Sequence, residues 1–463
     1  MTDDTPDRRD VSSRDVVPFR GAVRAWFVVS LQTFGGPAGQ IAVMQRTMVE
    51  ELRWIGQRRF LHALSYCTLL PGPEAQQLAI YIGWLLNGVR GGLVAGTLFV
   101  LPGMLALLGL SALYVGAGDS TVVTGLFVGL APAVLAIVTQ AVIRVAGRAL
   151  GHPALVGLAV AAFVSLVVFG VPFPLVIAAS AVIGWILGHW APGTMRAGSG
   201  DDDPDDGPAP HIPDQALHME SPSRINGAKV MALGLLAWGI PVALVASLTG
   251  SHSVLTEQSL FFSGTALVTF GGAYAVLTYV AHQAVEVYGW VTPGEMVRGL
   301  ALAETTPGPL VMVVQFVAFV GAYRDPGTLN PWVAATLAAL LTTWVTFVPC
   351  FVFIFLGAPY VERLRGNHAL ASALAGITAA VVGVIANLAV YFALNTLFAE
   401  TVRLSWGPAH LELPDPGTAR PLSLAVGLVA AFLLFRANWS VLRTLGVCAV
   451  LGLVGTLAGV SGA

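Results

Sequence analysis

Glycine and proline, rather than a nucleophile or a metal set, form the chemistry-bearing pattern of this chain. Phe34-Gly35-Gly36-Pro37 sits inside an apolar stretch. Each glycine costs about 1 kcal/mol in a helix interior and proline about 3 kcal/mol, so an unbroken helix is disfavoured there. Proline suits the first position of a new helix. Ala38, Gly39 and Gln40 would then present free backbone N–H groups at a positive helix end, an arrangement that attracts anions. Pro71-Gly72-Pro73 repeats the logic: Pro71 ends one segment, Gly72 permits the turn and Pro73 starts the next. Gln76 and Gln77 follow on the first turn with amide donors that suit an oxyanion. Later in the chain Gly271-Gly272 and Pro307-Gly308-Pro309 give the same pattern, with Ala273 where Pro37 stood. One such motif alone reads as a kink or a packing device. Four in register favour a binding site built from broken helices.

Ionisable groups inside membrane segments are functional suspects by default. Glu74 follows Pro73, and Glu304 lies three residues before Pro307. A carboxylate suits a helix N-terminus, yet ionised it competes with a bound anion. Glu74 and Glu304 are therefore candidate coupling or gating groups, taking or releasing a proton as the anion moves. Arg46, Glu50 and Trp54 are spaced i, i+4, i+8, which predicts an Arg46–Glu50 ion pair and an interfacial tryptophan. Glu286 is the later counterpart of Glu50. Arg46, Arg53, Arg58 and Arg59 alternatively form a cytoplasmic funnel for anions. The nine histidines show no metal-ligand spacing. The three cysteines, Cys67, Cys350 and Cys448, read as buried packing residues. No cofactor is expected. Neither H-E-x-x-H nor G-x-S-x-G occurs, so an enzyme is disfavoured.

The elements that must hold these residues are membrane helices. Of 463 residues 56% are hydrophobic and 10% charged, where an ordinary soluble domain carries about 25% charged residues. Windows such as 91–115, 121–143, 172–190, 230–248 and 332–356 approach the roughly 20 apolar residues of a membrane helix. Lipid leaves every backbone group to be satisfied internally, so the expected fold is an all-α polytopic bundle in the bilayer. A net charge of −2 and no basic stripe argue against nucleic acid as a partner. Residues 1–20 are polar and mixed in sign and read as a disordered cytoplasmic tail. Residues 191–228, with Asp201-Asp202-Asp203-Pro204-Asp205-Asp206, read as a flexible acidic linker.

The two halves repeat. Leu31–Gly36 recurs as Leu267–Gly272 and Pro71–Pro73 as Pro307–Pro309, both at an offset of 236 residues (270 minus 34, 307 minus 71). Glu50 with Trp54 recurs as Glu286 with Trp290 in the same register. Further on, Pro102 aligns with Pro349 and Gly129 with Gly376, at an offset of 247 (349 minus 102). This predicts repeats over 21–190 and 258–463, joined by an unpaired helix at 229–249. The first connector, residues 46–59, holds four arginines; its counterpart, residues 282–295, has neither Arg nor Lys. Such a contrast places the connectors on opposite membrane faces, and the repeats in inverted orientation. Arg298, Arg324, Arg403 and Arg420 run against that trend.

The stretches Phe34–Met44, Arg58–Leu64, Leu69–Trp84, Phe270–Leu277 and Ala303–Leu310 resemble the chromate transporter family in its long, two-domain form. The resemblance covers both halves, leaving out the tail, the linker and the poorly patterned 400–420 segment. It implies two homologous, oppositely oriented halves, no cofactor, and efflux of chromate across the bacterial inner membrane. Sulfate, nearly isosteric with chromate, is the expected competitor. A sulfate carrier or a passive anion channel stays open at this stage, as does a homo-oligomer.

Overall fold

The computed structural model describes residues 15–118, 120–190, 209–213, 216–218, 223–270, 272–360, 368–407 and 409–459. The acidic run and Gly271 lie outside the described residues, as does the tail before residue 15. Helices dominate. In chain order they are α1 (Phe19–Ser30), α2 (Gly36–Gln45), α3 (Gln57–Cys67), α4 (Glu74–Ala117), α5 (Thr121–Ala149), α6 (Pro153–Val167), α7 (Phe173–Trp190) and α8 (Arg224–Thr249). They continue as α9 (Val254–Val268), α10 (Ala273–His282), α11 (Pro293–Thr305), α12 (Val313–Arg324), α13 (Pro331–Gly357), α14 (His368–Leu397), α15 (Pro421–Ala431) and α16 (Val441–Leu457). Among the described residues six helices are long and apolar enough to cross a membrane. The chain is an all-α polytopic membrane protein.

Local chemistry sets the ends of these helices. Ser120, Ser253 and Asn330 accept first-turn N–H groups at the starts of α5, α9 and α13. Thr292 and Glu295 form a reciprocal capping box on α11. α4 is a single run with a break inside it, where Asn87 and Gly88 leave helical geometry. Its two parts thus act as a short helix and a long membrane span. α8 has no buried residue, and its Leu233, Leu236 and Ile240 are exposed, as suits a helix facing lipid.

Glycines at the crossings let the halves interlock. A side chain on Gly129 of α5 would collide with Cys448 and Gly452 of α16. One on Gly376 of α14 would collide with Ser180 and Gly184 of α7. Small residues at such crossings bring backbones together where lipid offers no hydrophobic drive.

Three expectations need correction. The connecting helix begins at Arg224 rather than at residue 229, and the end of the linker is docked. His211 N donates to Arg53 O at 2.7 Å, His218 N donates to Leu85 O at 2.9 Å, and Leu217 is buried. The 400–420 segment contains an antiparallel hairpin, β1 (Thr401–Trp406) with β2 (Ala409–Pro414), in which Arg403 pairs with Glu412. Its two-residue alternation is short and lies between long apolar helices. Finally, Arg46 pairs with Glu51 at 3.3 Å, not with Glu50. Residues Arg46–Glu51 form a π-helical turn, and that wider turn brings i+5 rather than i+4 onto the arginine's face.

Candidate functional site

The helices break where glycine and proline accumulate. α1 ends at Ser30, Gly35 and Gly36 take positive φ (80° and 71°), and α2 begins with Pro37 in its first turn. α3 ends at Cys67, Gly72 takes φ +122°, and α4 starts after Pro73. In the second half Gly272 (φ +94°) precedes α10. Gly308 (φ +99°) and Pro309 precede a short 3₁₀ turn, Leu310–Met312, that leads into α12. None of the starts of α2, α4, α10 and the 3₁₀ turn has a side-chain cap. Their first-turn N–H groups are thus left without that partner.

The breaks meet crosswise. Gly72 N donates to Thr269 O at 2.8 Å, and Gly308 N donates to Thr33 O at 3.0 Å. Thr33 and Thr269 hold equivalent places in the two repeats, as do Gly72 and Gly308, so each Pro-Gly-Pro turn is held by the other half's break. The surrounding helices follow the same swap. A Cβ on Gly103 of α4 would strike the carbonyl of Pro307. Cys350 of α13, one residue past the equivalent proline, has its Sγ 2.9 Å from where a Cβ on Gly72 would sit.

The connectors lie at opposite ends. Val16 N bonds Leu86 O at 3.1 Å, and the docked linker residues touch both Arg53 and Leu85. The first connector, the chain before α1 and the Asn87 break therefore share one end. Beyond Asn87 the long part of α4 runs to Tyr114, which meets Glu295 and Arg298 just past the second connector. About 26 residues at 1.5 Å each separate those two ends by about 39 Å.

Polar side chains converge on the crossed breaks. Gln40 Nε2 donates to Gly308 O at 2.6 Å, and Gln77 Nε2 donates to Pro71 O at 2.6 Å. Tyr274 donates its hydroxyl to Glu304 Oε1 at 2.6 Å and lies beside Gly36. Gln40, Gln76, Gln77 and Glu304 are all at most 2% exposed. Yet Gln40 Oε1, Gln77 Oε1, Glu304 Oε2 and both amide atoms of Gln76 have no hydrogen-bond partner among the described residues. A buried polar atom left unpaired costs about 1–3 kcal/mol, so such a concentration calls for a ligand or water. Glu74 is half-buried at the start of α4.

Not every singled-out residue joins this group. Glu50 and Glu286 are exposed on the π-helical turns that follow α2 and α10. Arg46 is exposed too, but donates to Gln32 Oε1 in the first break at 2.8 Å. The structure adds Thr33, Thr269, Tyr274, Gly103, Cys350 and Arg144. The two threonines and Tyr274 belong to the repeated glycine motifs and were visible in them. Arg144, on α5, donates to Gln140 Oε1 at 3.1 Å, and its charge reaches Glu304 and Tyr274. No sequence signal marked Arg144.

A family model described as "Chromate transporter" matches residues 21–185 and 256–453. The chain is 30% identical over 440 residues to a chromate transport protein of Pseudomonas aeruginosa, covering 92% of this chain and 89% of that protein. A chromate transport protein of Cupriavidus metallidurans is 26% identical over 402 residues, covering 86% of this chain and 89% of that one. A probable chromate transport protein of Synechococcus elongatus is 25% identical over 366 residues, covering 79% and 82%. No solved structure matches the chain.

Proposed function

Since the chain belongs to the chromate transporter family, we propose that it exports chromate across the plasma membrane, binding the anion where the four interrupted helices meet between two inverted repeats. The observation that carries this reading is the reciprocal pair of hydrogen bonds, Gly72 to Thr269 and Gly308 to Thr33, beside the buried Gln76 amide, whose nitrogen and oxygen both lack a partner among the described residues. The N–H groups of residues 36, 38, 39, 74–76 and 273–275 supply positive helix ends. Gln76 supplies an unpaired amide NH2, and Gln40 and Gln77 each keep one N–H beyond the one given to Gly308 O and Pro71 O, so these neutral donors can hydrogen-bond a tetrahedral oxyanion without trapping it by charge. Gly35, Gly36, Gly39, Gly72, Gly272 and Gly308 keep the approach to the backbone open, with Pro37, Pro71, Pro73, Pro307 and Pro309 fixing the breaks. The Glu304–Tyr274 pair beside Gly36, together with Glu74, would carry a proton as the anion moves.

Export is the direction favoured by the membrane potential. One charge crossing 100 mV gains about 2.3 kcal/mol, so a dianion leaving an inside-negative cell gains about 4.6 kcal/mol. The arginines of the first connector, on the cytoplasmic face in this reading, would gather anions there.

The test is radiolabelled chromate uptake into everted membrane vesicles under an imposed potential, comparing wild type with Gln76→Leu. Leucine fills a similar volume and removes two unpaired polar atoms. The variant should therefore be at least as stable as wild type and yet lose transport. Wild-type uptake by a well-folded Gln76→Leu would remove the amide from the binding site. Uptake of sulfate alone would reassign the substrate, and flux without saturation would indicate a channel.

A further inference from the structure

Two arginines that oppose the charge asymmetry of the loops, Arg298 and Arg324, meet at the end of the molecule away from the arginine-rich connector. Arg324 is accounted for: its guanidinium donates to Glu295 Oε1 at 2.6 Å. Glu295 also accepts from Tyr114 at 3.2 Å and, through Oε2, from Thr292 N at 2.9 Å and Thr292 Oγ1 at 3.1 Å. That carboxylate is fully committed. Arg298 is different. It is half-buried, donates one hydrogen bond to the Tyr114 hydroxyl at 3.2 Å, and has its Cζ 5.8 Å from the centre of the Phe127 ring. Among the described residues it has no carboxylate within ion-pair distance. The cluster of Arg298, Arg324 and Glu295 is left with one surplus positive charge, and it sits on Arg298.

Position gives that charge a use. α11 carries Arg298 at its middle and Glu304 near its end, just before the Pro307–Pro309 break. Seven residues from Arg298 to the end of α11 at Thr305 span about 10 Å of helical rise. The guanidinium presents five donors in a planar fork that matches an oxyanion's edge, and one is used by Tyr114. The Phe127 ring, on α5, holds the cation against the seam between α5 and α11.

We propose that Arg298 is the outer receiving group for the transported oxyanion, taking it on its free guanidinium edge after it leaves the crossed breaks. The proposal rests on the transport reading above and adds a second anion station on the exit side. Tyr114 positions the guanidinium; the charge and the fork do the binding.

The test separates the two faces. Everted vesicles containing the full-length protein take up radiolabelled chromate from the bath, and sulfate is supplied either in the bath or preloaded in the lumen. The lumen contacts the outer face. In wild type, lumenal sulfate should slow uptake. Arg298→Gln loses a charge-assisted contact, so its lumenal half-inhibition concentration should rise by about tenfold or more. Its half-saturation for bath chromate should stay close to wild type. Arg298→Lys keeps the charge without the fork and should shift the lumenal constant less. It decides the matter if Arg298→Gln is lost from the membrane. Tyr114→Phe removes the positioning hydrogen bond but not the charge and should raise the lumenal constant less than Arg298→Gln does. The proposal is overturned if lumenal sulfate has no effect on wild type, if neither arginine variant changes that effect, or if Tyr114→Phe reproduces the loss. Absence of chromate uptake by wild type would instead overturn the transport reading itself.

Discussion

Gly72 and Gly308 occupy equivalent turns, but the structure assigns them different tolerances to a methyl group. Gly72 has φ +122°, and a Cβ there would sit 2.9 Å from both Cys350 Sγ and Gln77 Nε2. Gly308 has φ +99°, and the nearest atom to its Cβ, the Phe99 carbonyl oxygen, is 3.5 Å away. Both replacements pay for a backbone region that only glycine occupies readily, about 1–3 kcal/mol. Only Gly72→Ala adds overpacking, about another 1–3 kcal/mol. Gly72→Ala should therefore cost about 2–6 kcal/mol and Gly308→Ala about 1–3 kcal/mol.

The assay is the apparent melting temperature of detergent-purified protein, read alongside chromate uptake in vesicles. Gly109, exposed in the C-terminal part of α4 with nothing within 4 Å of its Cβ, is the control. Gly109→Ala should be neutral or slightly stabilising. The expected order of stability is Gly109→Ala, then Gly308→Ala, then Gly72→Ala. Adding Cys350→Ala to Gly72→Ala should recover part of the loss, because it removes one of the two clashes but not the strained φ. Gly308→Ala melting as low as Gly72→Ala, or Gly72→Ala melting with the control, would refute the reasoning, since the ordering rests on those distances.

Other consequences can be checked with the same vesicles. Glu74→Asp and Glu74→Gln should differ from each other and from wild type in the pH dependence of chromate uptake; three superimposable profiles would take Glu74 out of the mechanism. Tyr274→Phe deletes the hydrogen bond to the Glu304 carboxylate and should alter the pH profile more than the amount of folded protein; an unchanged profile would make the pair purely structural. Glu51→Gln breaks a pair whose side chains are 51% and 57% exposed. Such surface pairs contribute about 0–1 kcal/mol, so melting should hardly move, and a large fall would mean the connector is far less solvated than it looks.

Local signals were legible and long-range ones were not. Helix ends at Ser30 and Cys67 follow from glycine and proline acting within a few residues. The bonds from Gly72 to Thr269 and from Gly308 to Thr33 join residues about two hundred or more positions apart, and no local propensity encodes them. Spacing put Gln76 and Gln77 on the first turn of α4, but their burial comes from neighbours brought in by the fold. The Arg46–Glu50 expectation assumed a regular α-turn. One extra residue per turn moved the pairing to Glu51, and the sequence around it carries no proline or glycine to announce the change. No sequence signal marked Arg144, and Arg298 stood out only by its charge, not by its contacts with Tyr114 and Phe127.

Some backbone hydrogen bonds recur in the two halves, whereas the side chains at the breaks differ. The same backbone pattern follows each π-helical turn: Trp54 N and Ile55 N both bond Met48 O, and Trp290 N and Val291 N both bond Ala284 O. Yet Gln40, Glu74, Gln76 and Gln77 in the first half stand where the second half has Val276, Leu310, Met312 and Val313. Two polar faces across one small gap would place unpaired amides opposite one another whenever the site empties, at about 1–3 kcal/mol for each orphaned group. A second half that brings the Tyr274–Glu304 pair rather than a second set of amides avoids part of that cost. In the proposed site the two halves would share the interrupted backbone, and the amides of the first half would set where the anion binds. Exchanging Gln76 for Leu and Met312 for Gln together would move the amide across the pseudo-two-fold. On this argument a folded double variant regains some of the transport that Gln76→Leu loses, and one no better than Gln76→Leu would mean that the two faces are not interchangeable partners in a shared site.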